Sequence, residues 1–237
     1  IKRGWSFKTG TNHYGASNWK WMKGAAAWCA SHLWDHYLFT QDKEYLKQIH
    51  PVLKELSEFW VDSLKELPDG TLVSPNSWSP ERGPRGDGTS HEQQLIWDLF
   101  GNYIESSRIL GIDKNFCAKI TRMRAKLLGP KIGRWGQLQE WAKDIDNKND
   151  KHRHLSHMMA GHPGKQISPL TTPKLAAAAK VSLNARGDEG TGWSRAQKIC
   201  LWARLHDGDR AHKLIKGFFT PVKDSYLKMG GGGLFDN

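Results

Sequence analysis

The strongest constraint on this chain is the spacing of its large apolar residues. Trp28, Leu33, Trp34, Tyr37 and Leu38 recur at three- and four-residue steps, and so do Leu53, Leu56, Phe59, Trp60 and Leu64. An α-helix turns once in ~3.6 residues, so this spacing gathers the apolar side chains on one face, whereas a strand would need strict alternation. The pattern returns over about 90–110 (Leu95, Leu99, Tyr103, Ile104), 114–128 (Phe116, Ile120, Met123, Leu127), 173–185 (Leu175, Ala178, Ala179, Leu183), 193–206 (Ile199, Trp202, Ala203) and 209–219. The spacing predicts at least seven amphipathic helices and few strands.

The connections carry Gly and Pro, as in Pro68-Asp69-Gly70, Pro80 to Gly88, Gly129-Pro130, His162-Pro163-Gly164 and Arg186-Gly187-Asp188. Helices joined alternately by tight turns and long polar loops suit a toroid, one rim bearing the turns and the other the loops that form a site. No repeat of fixed period is visible, which argues against an ordinary solenoid. With 38% hydrophobic residues spread along 237 positions, the expected organisation is one helical domain over 1–237. No run approaches the ~20 apolar residues of a membrane helix, so no membrane partner is expected. Cys29, Cys117 and Cys200 lack any CxxC spacing and read as core thiols.

The net charge of +11 raises the question of nucleic acid, but the excess is spread: about +1 over 1–80, +4 over 81–160 and +6 over 161–237. Lys119, Arg122 and Lys126, like Arg210, Lys213 and Lys216, fall at helical spacing with no dense basic run. A solvated surface explains them better than a phosphate track, and no nucleic-acid partner is expected.

The informative residues sit in the loops. In Pro75-Asn76-Ser77-Trp78-Ser79-Pro80-Glu81, two prolines stiffen a backbone that sets a carboxylate beside an indole. Poor solvation disfavours the ionised form and raises the pKa, as a general acid acting on a leaving-group oxygen requires. A Glu that caps a helix or pairs with Arg82 or Arg85 is the plainer alternative. Gly136-Gln137-Leu138-Gln139-Glu140-Trp141 is followed by Asp144, Asp146 and His152-Arg153-His154-Leu155-Ser156-His157. Three histidines at i, i+2 and i+5, without Cys or HExxH, do not make a zinc motif, and no metal is expected. Arg and His donors with Gln and Trp neighbours suit sugar hydroxyls and the apolar face of a sugar ring; a buried polar network is the alternative. The loop from Arg186 to Ser194 lacks the Lys and the preceding strand of a P-loop, which leaves Asp188 and Trp193 to line or brace a polar pocket. The stretch with Trp5, Asn12, His13, Tyr14, Asn18, Trp19 and Trp21 reads as a further pocket loop or as a plug on the helical core.

Taken in order, Trp28-x4-Leu33-Trp34-Asp35-His36-Tyr37, Ser79-Pro80-Glu81, Gly136-Gln137-Leu138-Gln139-Glu140-Trp141, His152-Arg153-His154-x-Ser156-His157, Pro163-Gly164 and Gly190-Thr191-Gly192-Trp193-Ser194 resemble glycoside hydrolase family 95 over essentially the whole chain. The resemblance implies an all-α (α/α)6 barrel, and inverting hydrolysis of α-L-fucosides, typically α-1,2-linked, or of α-L-galactosides in some members. It implies no cofactor, a fucosylated glycan as partner, and an extracellular or periplasmic setting. By the same resemblance Glu81 is the general acid, with Glu92 and Glu140 as alternative carboxylates. Arg153 and His154 become sugar-hydroxyl ligands. His13 and Trp21 become further pocket residues, and Gln137 and Trp193 join the lining by membership of their motifs.

The family's water-activating Asp and its two Asn partners find no counterpart in the chain, whose last residues are Leu234-Phe235-Asp236-Asn237. An inverting enzyme needs a base roughly 6.5–9.5 Å from the acid. With about seven or eight of twelve helices accounted for, the expectation is an incomplete barrel with little hydrolysis by itself, or a carbohydrate-binding remnant. Apolar patches are expected at its two ends.

Overall fold

A computed structural model describes residues 2–7 and 22–219, and the chain divides into two compact units, 1–129 and 130–237. The protein is all-α: the described residues form seven α-helices and one two-stranded hairpin.

The first unit holds α1 (Ala25–Thr40), α2 (Lys43–Ser63), the hairpin β1 (Lys65–Glu66) and β2 (Leu72–Val73), α3 (Ser90–Leu110) and α4 (Lys114–Ala125). Gln41 ends α1 in the left-handed conformation, its N–H on the Tyr37 carbonyl. The Asp42 carboxylate then opens α2 by accepting from the Glu44 and Tyr45 amides at 2.8 and 3.2 Å. In the hairpin Lys65 faces Val73 across a turn whose Gly70 sits at φ +83°. Leu46, Leu53, Leu56 and Trp60 of α2, Leu99, Phe100 and Tyr103 of α3, and Ile120 of α4 form the buried centre. Asp113 reinforces it, taking His50 Nε2 and Lys54 Nζ, each at 3.0 Å. The hydrogen bond to His50 is the main reason that its pKa lies below the usual carboxylate range.

The buried face of α1 is made by Ala25, Ala26, Ala27, Ala30, Trp34 and Tyr37. Leu38, placed on the apolar face by its spacing, is exposed instead. Apolar exposure is not confined to the chain ends either. Phe39 and Leu170 are 92% and 79% exposed, more than Trp5 at 37%.

The second unit starts with a long polar loop containing a 3-10 turn, Ser156–Met158, and continues through α5 (Pro173–Arg186), α6 (Gly192–Arg204) and α7 (Gly208–Phe218). Proline occupies the first turn of α5, where its missing N–H costs nothing. Leu138, Leu155, Met158 and Ile167 from the loop pack with Ala178, Ala179, Leu183, Leu201, Trp202 and Leu214 of the helices. Each helical stretch read from the spacing has a counterpart within a few residues. No described helix is long and apolar enough to cross a membrane.

Candidate functional site

In the first unit, residues 72–93 form an ordered loop tied to the start of α3. Gln93 accepts from the Ser74 amide at 2.8 Å and donates to the carbonyls of Leu72 and Leu128. Ser77 pairs with Gly86, and its hydroxyl accepts from the Thr89 amide. Lys23 Nζ donates to the Pro75 carbonyl. Glu81 follows the buried Trp78 and Ser79 and is itself half-buried. The strongly desolvated carboxyl of this unit is Glu92, 1% exposed in the first turn of α3. Burial pushes its pKa up to about 7 against the opposing attraction of Lys23. Gly24 brings α1 against it: a β-carbon there would lie 3.4 Å from the Glu92 Cγ.

The second unit assembles three of the sequence-predicted residues at one corner. The His154 ring meets the Trp193 indole edge-on at 4.7 Å and stacks on His152 at 5.0 Å. Ser194 Oγ donates to the Arg153 carbonyl at 2.6 Å, so the first turn of α6 holds the 152–154 segment. Trp193 is 40% exposed and Arg153 lies at the surface. The corner thus sets an exposed indole against the His154 ring, beside the backbone of Arg153. Asp188 is bound to α7, to Arg210 at 2.9 Å and Lys213 at 3.3 Å.

Gln137 is buried away from the surface. Its amide donates to Asp144 at 2.9 Å and accepts from the Trp135 amide. Gly133 lets it fold so tightly, since a β-carbon there would lie 2.0 Å from the Gln137 Nε2. Glu140 is also buried, its carboxylate 2.7 Å from Arg186 and 3.5 Å from His157 Nδ1. Arg186 reaches on to Asp150 at 3.0 Å. The His157 pKa falls to about 3, chiefly through burial and then through the charge of Arg186. Among the described residues no group of three or more His, Cys, Asp and Glu is arranged to hold a metal. His13 and Trp21 lie outside the described residues.

Sequence reasoning passed over Arg186 as a loop boundary; its place in the last turn of α5 beside an acidic loop was the available signal. It also missed the burial of Glu92, which no local pattern shows.

The architecture is that of an all-helical glycoside hydrolase domain with its polar and aromatic groups in the connecting loops. Residues 2–236 match the glycosyl hydrolase family 95 catalytic domain, and the chain belongs to that family. It is 33% identical over 262 residues to "Alpha-L-fucosidase 2" of Arabidopsis thaliana, covering 97% of this chain and 31% of that protein. It is likewise 33% identical over 230 residues to "Probable alpha-fucosidase A" of Aspergillus niger, covering 90% of this chain and 29% of the relative. The chain thus spans about a third of the length of these relatives.

Proposed function

We propose that this chain supplies the proton donor and the sugar-holding groups of an α-L-fucosidase that acts with inversion on terminal, typically α-1,2-linked, fucose. The observation that carries the reading is the corner of Arg153, His154 and Trp193, in a family whose similar members are named fucosidases. Arg153 and His154 bind hydroxyls and the Trp193 indole stacks on the apolar face of the sugar. Gln137 acts from within by shaping the loop, and His13 and Trp21 are further sugar-binding residues of the proposal.

Glu81 protonates the glycosidic oxygen as the C1–O bond breaks, while water attacks C1 from the opposite face. The attacking water needs a base on the face opposite the acid, a part that Glu81, Arg153 and His154 do not supply. Glu92 is a second reading for the acid, favoured by its near-complete burial and a pKa close to neutrality.

The test is to incubate the protein with 2′-fucosylated lactose and follow fucose anomers by NMR, beside Glu81→Gln and Glu92→Gln. Fucose appearing first as the β-anomer, with a rate at least ~100-fold lower in Glu81→Gln, is expected. A loss of that size only in Glu92→Gln moves the acid to Glu92. Release of α-fucose first overturns inversion, and fucose binding without release supports a carbohydrate-binding role instead.

A further inference from the structure

The first turn of α6 carries two groups of the corner: Trp193 lies against His154 at 4.7 Å, and Ser194 donates to the Arg153 carbonyl at 2.6 Å. Yet α6 begins without the devices that usually hold a helix start. Thr191 stands at the N-cap in extended backbone, but its side chain makes no capping hydrogen bond, and its hydroxyl is buried without a partner among the described residues. Gly192 is the first helical residue, and the first turn holds no acidic side chain. Gly is a poor helix former, and a start without a cap or a negative charge tends to fray. The loop before it is slack as well, with Gly187 at φ +75° and Gly190 at φ +141°.

One turn beyond Ser194, the Lys198 side chain is only 1% exposed. It leans back toward the start of α6, and its Nζ donates to the Glu189 carbonyl, two residues ahead of the N-cap. Gly190 makes room for it: a β-carbon there would lie 3.2 Å from Ser194 Oγ and 3.6 Å from Lys198 Nζ. An ammonium out of water, near the positive end of a helix dipole, is costly. Burial holds its pKa below the usual lysine value against the attraction of Asp188. An apolar side chain of the same volume would pack there at no such cost. What the ammonium adds is its hold on the Glu189 carbonyl, which ties the slack loop to the helix that follows.

We propose that Lys198 is a positioning residue of the corner: its grip on the Glu189 carbonyl keeps the first turn of α6 wound, and so keeps Ser194 on Arg153 and the Trp193 indole against His154. The clamp stands without the fucosidase reading, and only its consequence for a sugar rests on that reading.

Lys198→Met, of similar length but without a donor, gives the test in the 237-residue chain. Its urea midpoint is expected to be no lower than that of the parent, because the buried charge is gone. Hydrogen exchange read by NMR is expected to show the Arg195 and Ala196 amides at least ~10-fold less protected, with Leu201 and Trp202 unchanged. Affinity for 2′-fucosylated lactose, measured by calorimetry, is expected to fall about 5-fold, since a frayed turn leaves fewer molecules ready to bind. Gly190→Ala is the second variant: it disturbs the same contact without altering a buried side chain, and the same exchange pattern is expected. Unchanged protection of Arg195 and Ala196 in both variants overturns the clamp. Protection lost evenly along α6 together with a lower midpoint makes Lys198 an ordinary core residue, which also overturns it. A frayed first turn with undiminished affinity overturns the positioning role. If the parent binds no saccharide, the fucosidase reading is what fails, and the exchange pattern with the position of the Trp193 indole N–H resonance decides the clamp by itself.

Discussion

Glu92 shows how a single burial sets a property of the first unit. It occupies the first turn of α3, where the helix dipole favours a negative charge, and Lys23 attracts that charge. Desolvation outweighs both and lifts the pKa from 4.5 to about 7. With the folded pKa above the unfolded one, the associated stability is full below pH 4.5 and is lost as pH rises through about 7. Between pH 5 and pH 8 the loss is roughly 2–3 kcal/mol, taking one pKa unit as ~1.4 kcal/mol. Glu92→Gln is neutral throughout, so its urea midpoint is expected to vary less over this range than that of the parent, with the larger gain at pH 8. Equal pH dependence in both proteins would show that Glu92 ionises freely.

Among the elements, α5 matters most to the site, because its last residue carries the polar network of the loop before it. Arg186→Met takes the cation from the buried Glu140 and the half-buried Asp150, and removing one partner of a buried pair such as Glu140–Arg186 costs about 3–5 kcal/mol. Urea denaturation is expected to show that loss, and adding Glu140→Gln is expected to return part of it, since the second change removes a stranded charge. A loss below ~1 kcal/mol would mean that solvent already screens the pair. At the opposite extreme, Asp42→Ala removes only the cap of α2 and is expected to cost about 1 kcal/mol. Helices like α3, at Ser90–Leu110, were legible in the sequence because spacing, a Gly at the C-terminal end and polar flanks all agree. The pattern carried α4 to 128, but the helix ends at Ala125: Leu72 bonds to Lys126 and Leu128 there, and strand-like pairing wins over periodicity. Leu38 misled for a similar reason, since four alanines allow close packing that no count of large residues reveals. In the site, the motifs pointed to the loops of Arg153, His154 and Trp193, because polar and aromatic residues gather there in sequence. The environment of Glu92 depends on Lys23 and Gly24, far along the chain, and those of Gln137 and Asp146 on how an irregular loop folds back on itself, so all three stayed hidden.

For the molecule as a whole, the two units carry opposite responses to acid. In the first, lowering pH from 7 to 5 protonates Glu92 and relieves its burial, a gain of about 2 kcal/mol. In the second, His157 has a folded pKa of about 3 against 6.5 in the unfolded chain. Its stability is full above pH 6.5 and is lost as pH falls toward 3, so the same step costs about 2 kcal/mol. Asp146, whose pKa burial raises, opposes this loss by favouring the acid side. Hydrogen exchange followed by mass spectrometry, corrected for the intrinsic effect of pH, separates the units. Amides of α2 and α3 are expected to gain protection on acidification while those of α5 and α6 lose it, each by roughly 30-fold. His157→Gln, which cannot take up the proton, is expected to abolish the loss in the second unit and leave the gain in the first. Protection that rises or falls together in all four helices would show one cooperative transition, and the separate charge balances of the two units would then have no thermodynamic meaning.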